Sequence, residues 1–192
     1  NYTTGPTQLL TKDKPVTAAA DLNGMTIRAT GAFVPALENK GASTVSVSQP
    51  QVYEALSNGS VDGSTTYYYV VKAYKQYEVS NYITELNMGQ VLAFGIGMNM
   101  NTYMSLTADQ QKLVDDLGRE FTQYVSEKMY QSRTQVKAEL EAGIDGYKIE
   151  VVQPTDELRA SLVAIANDDV ATWKSKASDK GMDADGVYGA FE

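Results

Sequence analysis

One long amphipathic stripe constrains the fold more than any other feature of this sequence. Thr107-Ala-Asp-Gln110 has the capping-box pattern of a helix start, and Gly143 supplies a stop. Between them the apolar side chains recur with the helical period, at Leu113, Leu117, Phe121, Tyr124, Val125, Met129, Val136 and Leu140. One helix is therefore predicted over about residues 107–142. At 1.5 Å per residue it would be roughly 50 Å long, which is more than a single small lobe normally spans.

Short strands and short helices alternate along the residues before this helix. Strands are predicted at 25–30, 43–48, 60–62, 79–85 and 90–98. The last of these is nearly all apolar and is expected to be a central strand. A helix is predicted at about 67–76, and a strand at 147–152, a helix from about Asp156 and a polar tail follow the long helix. This alternation predicts an α/β fold with a parallel sheet.

The composition excludes several classes of function. The 192 residues contain no His and no Cys, which removes thiol nucleophiles, imidazole bases and Cys/His zinc sites. The net charge of −8 argues against a nucleic-acid partner, which needs a basic face. No apolar run approaches the ~20 residues that cross a bilayer. We therefore expect a protein that is not an enzyme, holds no metal or cofactor and does not span a membrane.

The strongest candidate for a binding residue is Arg28, near the end of the strand at 25–30. Residues 29–31 follow it at a helix start, and residues 63–66 occupy the same place after the third strand. In parallel α/β sheets, ligands lie beyond the carboxyl ends of the strands, where helix N-termini offer free N–H groups to anions. A guanidinium forms two parallel hydrogen bonds with a carboxylate. The arrangement predicts an anion cradle, although Arg28 could equally cover a sheet face and pair with a neighbouring acid.

The other candidates are polar or aromatic residues near the same strand ends. Tyr67 begins a run of three tyrosines, of which at most two can line a cleft because consecutive helical residues point in different directions. Gln49 lies where a helix starts, and a solvated loop glutamine is an equally good interpretation. The full set of predicted ligand-binding residues is Arg28, Thr65, Thr66, Tyr67, Gln49 and Gln90.

Three stretches, in order, carry a resemblance to a known family. They are Asp21-Leu-Asn-Gly-Met-Thr-Ile-Arg28, Gln51-Val-Tyr-Glu-Ala-Leu-Ser-Asn-Gly-Ser-Val-Asp-Gly63 and Tyr77-Glu-Val-Ser-Asn-Tyr82. Met98-Asn99 and Tyr103-Met-Ser-Leu106 precede the long helix in a similar pattern. With these motifs in this order and spacing, the chain resembles the solute receptors of tripartite ATP-independent periplasmic (TRAP) transporters.

The resemblance implies a periplasmic-binding-protein-like (type II) bilobal α/β fold whose long helix spans both lobes. It implies that residues 21–87 form the second lobe with the anion-binding arginine. Residues 1–20 and 88–192 would supply a partial first lobe, the hinge strands and the long helix. Members of the family begin with a segment that builds most of the first lobe. Nothing in this sequence corresponds to that segment, so we expect one lobe and the later part of the other.

The resemblance also implies a function. The protein would capture a small organic carboxylate in the periplasm, pair it with Arg28 and deliver it to the membrane permease subunits of a TRAP transporter. Residues 64–66 read Ser-Thr-Thr, where sialic-acid receptors carry an asparagine and keto-acid receptors carry an acidic residue and a tryptophan. Neither ligand is expected. Small hydroxyls backed by Tyr67 and Tyr68 suggest a roomier pocket for an aromatic or medium-sized carboxylate.

Three other functions compete with this one. A ligand-sensing module of a chemoreceptor or kinase would keep the binding chemistry and would be fused to a transmembrane helix downstream. A hydrolase would need converging carboxylates or a metal bound by oxygen atoms alone, and the adjacent acidic pairs on helices diverge. An effector domain of a transcription factor would need an upstream helix-turn-helix.

Overall fold

The secondary structure alternates strands and helices up to one helix of 35 residues. The computed structural model describes residues 2–31, 33–89 and 93–190. Their strands are β1 (Tyr2–Thr3), β2 (Gln8–Thr11), β3 (Thr26–Arg28), β4 (Ser43–Val45), β5 (Gly63–Thr66), β6 (Tyr82–Thr84), β7 (Ala93–Phe94) and β8 (Glu150–Val152). Their α-helices are α1 (Phe33–Glu38), α2 (Val52–Ser57), α3 (Tyr68–Ala73), α4 (Met100–Met104), α5 (Ala108–Ala142), α6 (Asp156–Ser178) and α7 (Ala184–Gly189). Short 3-10 helices lie at Ala19–Leu22, Gln49–Gln51 and Gln76–Glu78.

The main sheet is mixed rather than parallel. Its six strands in the described residues have the order β4-β3-β5-β2-β6-β8. β3 runs parallel to β4 and β5, and β6 runs parallel to β8. β2 is antiparallel to both of its neighbours, β5 and β6. The prediction of a parallel sheet is therefore wrong for β2. This strand runs opposite to both of its neighbours, and antiparallel neighbours need no crossover helix between them.

Helices cover both faces of this sheet. Leu9 and Leu10 are adjacent in β2 and are both fully buried, one in each of two apolar clusters. One face packs against α1 and α6 through Leu9, Met25, Ile27, Phe33, Leu37, Leu158 and Leu162. The other face packs against α2, α3 and the last turns of α5 through Leu10, Val52, Leu56, Val71, Ile83, Val136 and Leu140. Met25 and Ile27 share one face, as their alternation with Thr26 and Arg28 predicts.

The third strand of the parallel part lies later than predicted. The prediction of a strand at 60–62 is wrong, because β5 consists of Gly63–Thr66. All four residues of β5 are buried, although three of them carry hydroxyls. Gly63 is required at its start. A Cβ atom there would lie 2.5 Å from the backbone oxygen of Leu10 in β2. A polar sequence can form a central strand here because the neighbouring backbones, rather than apolar side chains, set its position.

The predicted central strand at 90–98 is also wrong for the residues that the structure describes. Gln90 and the next two residues lie outside the described residues. The two-residue strand β7 pairs only with β1 among the described strands, in a separate two-stranded sheet. Residues 95–99 form no strand, and Ile96 is 81% exposed. An apolar segment becomes a central strand only where strands flank it on both sides, and one side of β7 has no such neighbour in the described chain.

The long helix is confirmed, with the predicted cap. Thr107 accepts a hydrogen bond from the Gln110 backbone N–H, and the helix ends at Gly143. Val136 and Leu140 are buried, whereas Leu113 and Leu117 in the earlier part of the same stripe are 57% and 52% exposed. The stripe therefore packs against the sheet only over its last turns.

None of the described helices is long and apolar enough to cross a membrane.

Two further differences concern the chain ends. The predicted polar tail contains the helix α7. Asp183, the N-cap residue of α7, accepts a hydrogen bond from the Gly186 backbone N–H. The sheet also extends beyond the predicted second-lobe segment of residues 21–87. β2, from the segment 1–20, and β8, from 88–192, hydrogen-bond directly to strands of 21–87. The predicted division into lobes stays a prediction, but the strands of its two parts share one sheet.

Gly63→Ala should destabilise the fold by about 3 kcal/mol, because the added Cβ meets the Leu10 backbone, which cannot move aside like a flexible side chain. Urea unfolding followed by circular dichroism measures the change. Gly118→Ala is the matched control, because nothing lies within 4 Å of its Cβ position and Ala raises helix propensity by up to ~1 kcal/mol. Equal stability of the two variants would contradict this account of β5.

Candidate functional site

A cavity of about 240 Å³ opens at the edge of the sheet where β3, β4 and β5 end. Arg28 is the last residue of β3, Gln49 follows β4, and Thr65 and Tyr67 lie at the end of β5. The described residues that line it are Thr4, Thr7, Arg28, Thr30, Phe33, Gln49, Thr65, Tyr67, Tyr69, Val70 and Phe94. The cavity thus lies at the carboxyl ends of the parallel strands, where such folds bind ligands.

Arg28 supplies the only charge among these lining residues. Its backbone pairs with Val45 of β4 and Ser64 of β5, and its Nε donates to the carbonyl oxygen of Val47 at 3.1 Å. No carboxylate among the described residues forms an ion pair with it, so the alternative that it pairs with a neighbouring acid has no support in them. Burial lowers the pKa of the guanidinium, and nearby Tyr67 acts in the opposite direction. The side chain still carries its charge at any ordinary pH.

The two threonines of β5 differ in their surroundings. Thr65 lines the cavity, and its hydroxyl donates to the carbonyl oxygen of Arg28 at 3.4 Å. Thr66 is buried but does not line the cavity. Its hydroxyl has no hydrogen-bond partner among the described residues. Because side chains alternate along a strand, only one of the two can face the cavity.

The tyrosine run places two rings in the cavity wall. Tyr67 has an extended backbone, with φ −130° and ψ 151°, and α3 begins after it. The rings of Tyr67 and Tyr69 therefore stack, with centroids 5.6 Å apart and planes 6° apart, and both line the cavity. Tyr68 lies between them in sequence but is buried, and its hydroxyl donates to Glu85 Oε1 at 2.7 Å. The expectation that Tyr68 backs the pocket is wrong, because its side chain belongs to the core.

Two residues that line the cavity each carry a buried polar atom without a partner among the described residues. The Gln49 amide nitrogen is buried, and so is the hydroxyl of Thr7, a residue that is 1% exposed. An unpaired buried donor costs roughly 1–3 kcal/mol, so native structures contain few of them. Gln90, the remaining predicted site residue, lies outside the described residues. Arg28, Gln49, Thr65 and Tyr67 are thus brought together at one cavity.

Sequence reasoning missed five lining residues: Thr4, Thr7, Phe33, Val70 and Phe94. Two more, Thr30 in the predicted anion cradle and Tyr69 in the tyrosine run, were considered but not selected as ligand-binding residues. Thr4 and Thr7 precede β2, and their presence follows from its direction. An antiparallel strand begins at the edge where its parallel neighbours end, and the register pairs Gln8 with Thr66. The sequence shows no signal for that direction. The i, i+2 spacing of Tyr67 and Tyr69 was a usable signal, provided that Tyr67 lies before the helix rather than in it.

A hydrogen-bonded network lies behind the tyrosine wall. Glu85 accepts hydrogen bonds from Tyr68, from Lys137 of α5 at 2.9 Å and from Gln153 at 2.6 Å. Burial opposes the ionisation of Glu85, but the hydrogen bonds from these three donors are together stronger and hold its pKa below the ordinary value. Burial, and then the carboxylate of Glu85, raise the pKa of Tyr68, which therefore stays neutral. The network ties α3 to the long helix.

The chemistry available in the cavity is binding through one cation, hydroxyls, an amide and aromatic rings. No group of three or more His, Cys, Asp or Glu residues in the described chain is arranged to hold a metal ion. With Arg28 as the one charged residue among its described lining residues, the cavity suits an anion.

The chain matches the model of one protein family, described as bacterial extracellular solute-binding protein, family 7 (DctP), over residues 2–176. Among solved structures it is similar to a TRAP periplasmic solute-binding protein from Desulfovibrio salexigens. The identity is 32%, the TM-score is 0.76, and the match covers 95% of this chain and 56% of that one. In that structure, an open complex, the C-terminus of a symmetry mate is bound in the ligand-binding site.

Two further structures contain small acids. A TRAP periplasmic solute-binding protein from Bordetella bronchiseptica, with bound (R)- and (S)-mandelate, is 23% identical with a TM-score of 0.81. The match covers 97% of this chain and 59% of that one. A TRAP solute-binding protein from a marine metagenome, specific for aromatic acid ligands and bound to metahydroxyphenylacetate, is 26% identical with a TM-score of 0.72. The match covers 93% of this chain and 57% of that one.

These comparisons confirm the predicted fold class. The mixed sheet with helices on both faces is the α/β fold of TRAP periplasmic solute-binding proteins. The chain spans 56–59% of the length of the three structures.

Acid should weaken the contribution of Glu85 to stability. Its folded pKa lies below the ordinary 4.5, so its contribution is complete above about pH 5 and is lost as the pH falls through the folded value. Glu85→Gln should therefore lower the unfolding free energy by about 1–3 kcal/mol at pH 7 and by less at pH 3. Urea unfolding at both pH values measures the difference. Glu127→Gln, on an exposed part of α5, is the control. An equal loss at both pH values for Glu85→Gln would contradict the prediction.

Proposed function

Because the chain belongs to family 7 of the bacterial extracellular solute-binding proteins, a family of binding proteins rather than enzymes, we propose that it captures a small organic carboxylate on Arg28. The observation that carries the proposal is the charge pattern of the cavity. Its wall contains one cation and no acid among the described residues, and that cation has no carboxylate partner among them. A half-buried guanidinium without a counter-ion is stabilised by an anion that enters the cavity.

The geometry around Arg28 favours a carboxylate. The hydrogen bond from Nε to the Val47 carbonyl oxygen holds one side of the guanidinium, while the terminal nitrogens have no hydrogen bond to a described residue. Those two nitrogens form a planar pair of donors that matches the two oxygens of a carboxylate. Each charge-assisted hydrogen bond contributes roughly 1.5–3 kcal/mol when it is shielded from water. Thr65, Gln49 and Thr7 line the same cavity as Arg28.

The similar proteins support the same class of ligand. Mandelate and metahydroxyphenylacetate are carboxylates, and the C-terminus that occupies the site in the Desulfovibrio salexigens protein also ends in one. The proposal extends to this chain the property that these ligands share.

The proposal includes a place in the cell and a partner. Similarity to TRAP periplasmic solute-binding proteins supports a periplasmic receptor that delivers its ligand to the membrane permease subunits of a TRAP transporter. Residues 21–87 would then hold the ligand through Arg28, while lobe closure around it gates delivery. No chemical step is required. A sensor would share the cavity, so co-purification of the full-length protein with permease subunits is the observation that favours transport.

Arg28→Ala should lower the affinity of the full-length protein for a small carboxylate by more than tenfold, because the ligand anion loses two shielded hydrogen bonds. Isothermal titration calorimetry with mandelate and metahydroxyphenylacetate measures the loss. Arg28→Lys should recover only part of it, because an ammonium lacks the fork. Arg119→Ala, whose side chain is 77% exposed on α5, is the control and should bind like the wild type.

The neutral amide of the best-binding acid gives a second control. It keeps the shape of the acid and removes the charge, so it should bind weakly to the wild type. Unchanged affinity of Arg28→Ala, or equal binding of acid and amide, would remove Arg28 from the site.

A further inference from the structure

We propose that Asn58 is a site of spontaneous covalent modification, at which the side-chain amide is lost through a cyclic imide. This inference is independent of ligand binding and of the proposed function. Three observations carry it: the Asn58-Gly59 pair, the exposure of both residues, and two hydrogen-bond donors that meet the side-chain oxygen of Asn58.

Two Asn-Gly pairs occur in the sequence, Asn23-Gly24 and Asn58-Gly59, and all four residues are exposed. Asparagine is thermolabile because the backbone nitrogen of the next residue can attack its side-chain amide. Glycine at that next position favours the attack, since it has no Cβ to shield the nitrogen. The sequence alone does not distinguish the two pairs, so the difference between them has to come from the folded structure.

The reaction is an internal nucleophilic attack followed by hydrolysis. The backbone nitrogen of Gly59 loses its proton and bonds to Cγ of Asn58, negative charge develops on Oδ1, and the amide nitrogen leaves as ammonia. Water then opens the five-membered imide at either of its two carbonyl carbons, which gives aspartate or isoaspartate. The sum is asparagine plus water to either product plus ammonia, and no other reactant is needed.

Ser60 distinguishes Asn58 from Asn23. The Ser60 backbone N–H donates to Asn58 Oδ1 at 2.9 Å, and the Ser60 hydroxyl donates to the same oxygen at 2.5 Å. Donors that already point at the oxygen on which charge develops stabilise a tetrahedral intermediate, as an oxyanion hole does. No described residue donates a hydrogen bond to the side-chain oxygen of Asn23. The electrophilic carbon of Asn58 is therefore the more activated of the two.

The attacking nitrogens differ as well. The Gly24 N–H donates to the carbonyl oxygen of Gly41 at 2.9 Å, a bond that joins two separate turns. The Gly59 N–H has only a long bond of 3.3 Å, to the Leu56 carbonyl oxygen in the last turn of α2. Asn58, with φ −84° and ψ −3°, has to rotate about its Cα–C bond before the ring can close. Helix ends fray, and α2 has only six residues, so this rotation breaks few contacts.

The modification changes the end of α2. Lys12 Nζ donates to the carbonyl oxygens of Leu56 at 3.1 Å and Ser57 at 3.2 Å, so a cation already lies beside the position of the new carboxylate. The aspartate product keeps an acceptor oxygen for Ser60. Isoaspartate adds one backbone atom to the short connection between α2 and β5, the strand that contains Thr65. The isoaspartate product therefore alters the connection that leads into the cavity wall.

Peptide mapping of the wild-type full-length protein, after incubation in mildly alkaline buffer, tests the proposal. Trypsin releases residues 13–28 with Asn23 and residues 41–72 with Asn58, and each peptide contains one asparagine. Mass spectrometry follows the gain of one mass unit that accompanies loss of the amide. In the folded protein, Asn58 should react at least fivefold faster than Asn23. In guanidinium chloride the two rates should lie within twofold of each other, because only the local sequence remains.

Variants test the two donors. Ser60→Ala removes the hydroxyl and keeps the backbone N–H, so it should slow the reaction of Asn58 at least twofold in the folded protein and leave the rate in guanidinium chloride unchanged. Ser57→Ala is the matched control, because Ser57 precedes Asn58, is exposed and makes no side-chain hydrogen bond to a described residue. A faster reaction in Ser60→Ala would show that the two bonds hold the amide in place, and would overturn the activating role of Ser60.

Two results with the wild type overturn the proposal as a whole. One is a rate at Asn23 that equals or exceeds the rate at Asn58 in the folded protein. The other is an intact amide at Asn58 in the folded protein over the time in which the unfolded protein reacts. Both results come from the wild type alone, so a variant that does not fold leaves the test intact.

Discussion

The central strand β2 is the element on which the rest of the structure depends. It runs antiparallel between β5 and β6 and so joins the parallel group β4-β3-β5 to the parallel pair β6-β8. Leu9 and Leu10 are fully buried on its opposite faces, and each contributes roughly 1.5–3 kcal/mol through burial. Because β2 enters from the edge where β3 and β5 end, it also carries Thr7 to the cavity. One strand thus serves both the core and the site.

The segment after β5 connects the candidate site to the long helix. Tyr67 and Tyr69 form part of the cavity wall, while Tyr68 between them is buried and donates to Glu85. Glu85 in turn accepts from Lys137, whose side chain is only 31% exposed on α5. Hydrogen bonds to a charged group that is largely shielded from water are stronger than those at the surface. The position of the tyrosine wall is therefore fixed relative to α5 by ordered polar contacts as well as by apolar packing.

Local patterns in the sequence predicted the features that depend on neighbouring residues. The capping box and the apolar period predicted α5, and the alternation at 25–30 predicted which face Arg28 takes. Features that depend on distant residues could not be predicted in the same way. β5 is a buried strand because of its contact with the Leu10 backbone, although its own residues are small and polar. The direction of β2 depends on its pairing with β5 and β6, which lie far along the chain, so Thr4 and Thr7 were missed.

Unpaired polar atoms alone do not identify a binding site in this protein. Both amide atoms of Gln76 and the hydroxyl of Ser80 are buried without a partner among the described residues, yet neither residue lines the cavity. Thr7 and Gln49 do line the cavity, but their unpaired atoms are themselves buried. Each unpaired group lowers stability by roughly 1–3 kcal/mol wherever it lies, so such groups by themselves say nothing of a ligand. A cation without a carboxylate partner and a wall with several aromatic rings occur together at this cavity of the described chain, and their coincidence makes it the candidate site.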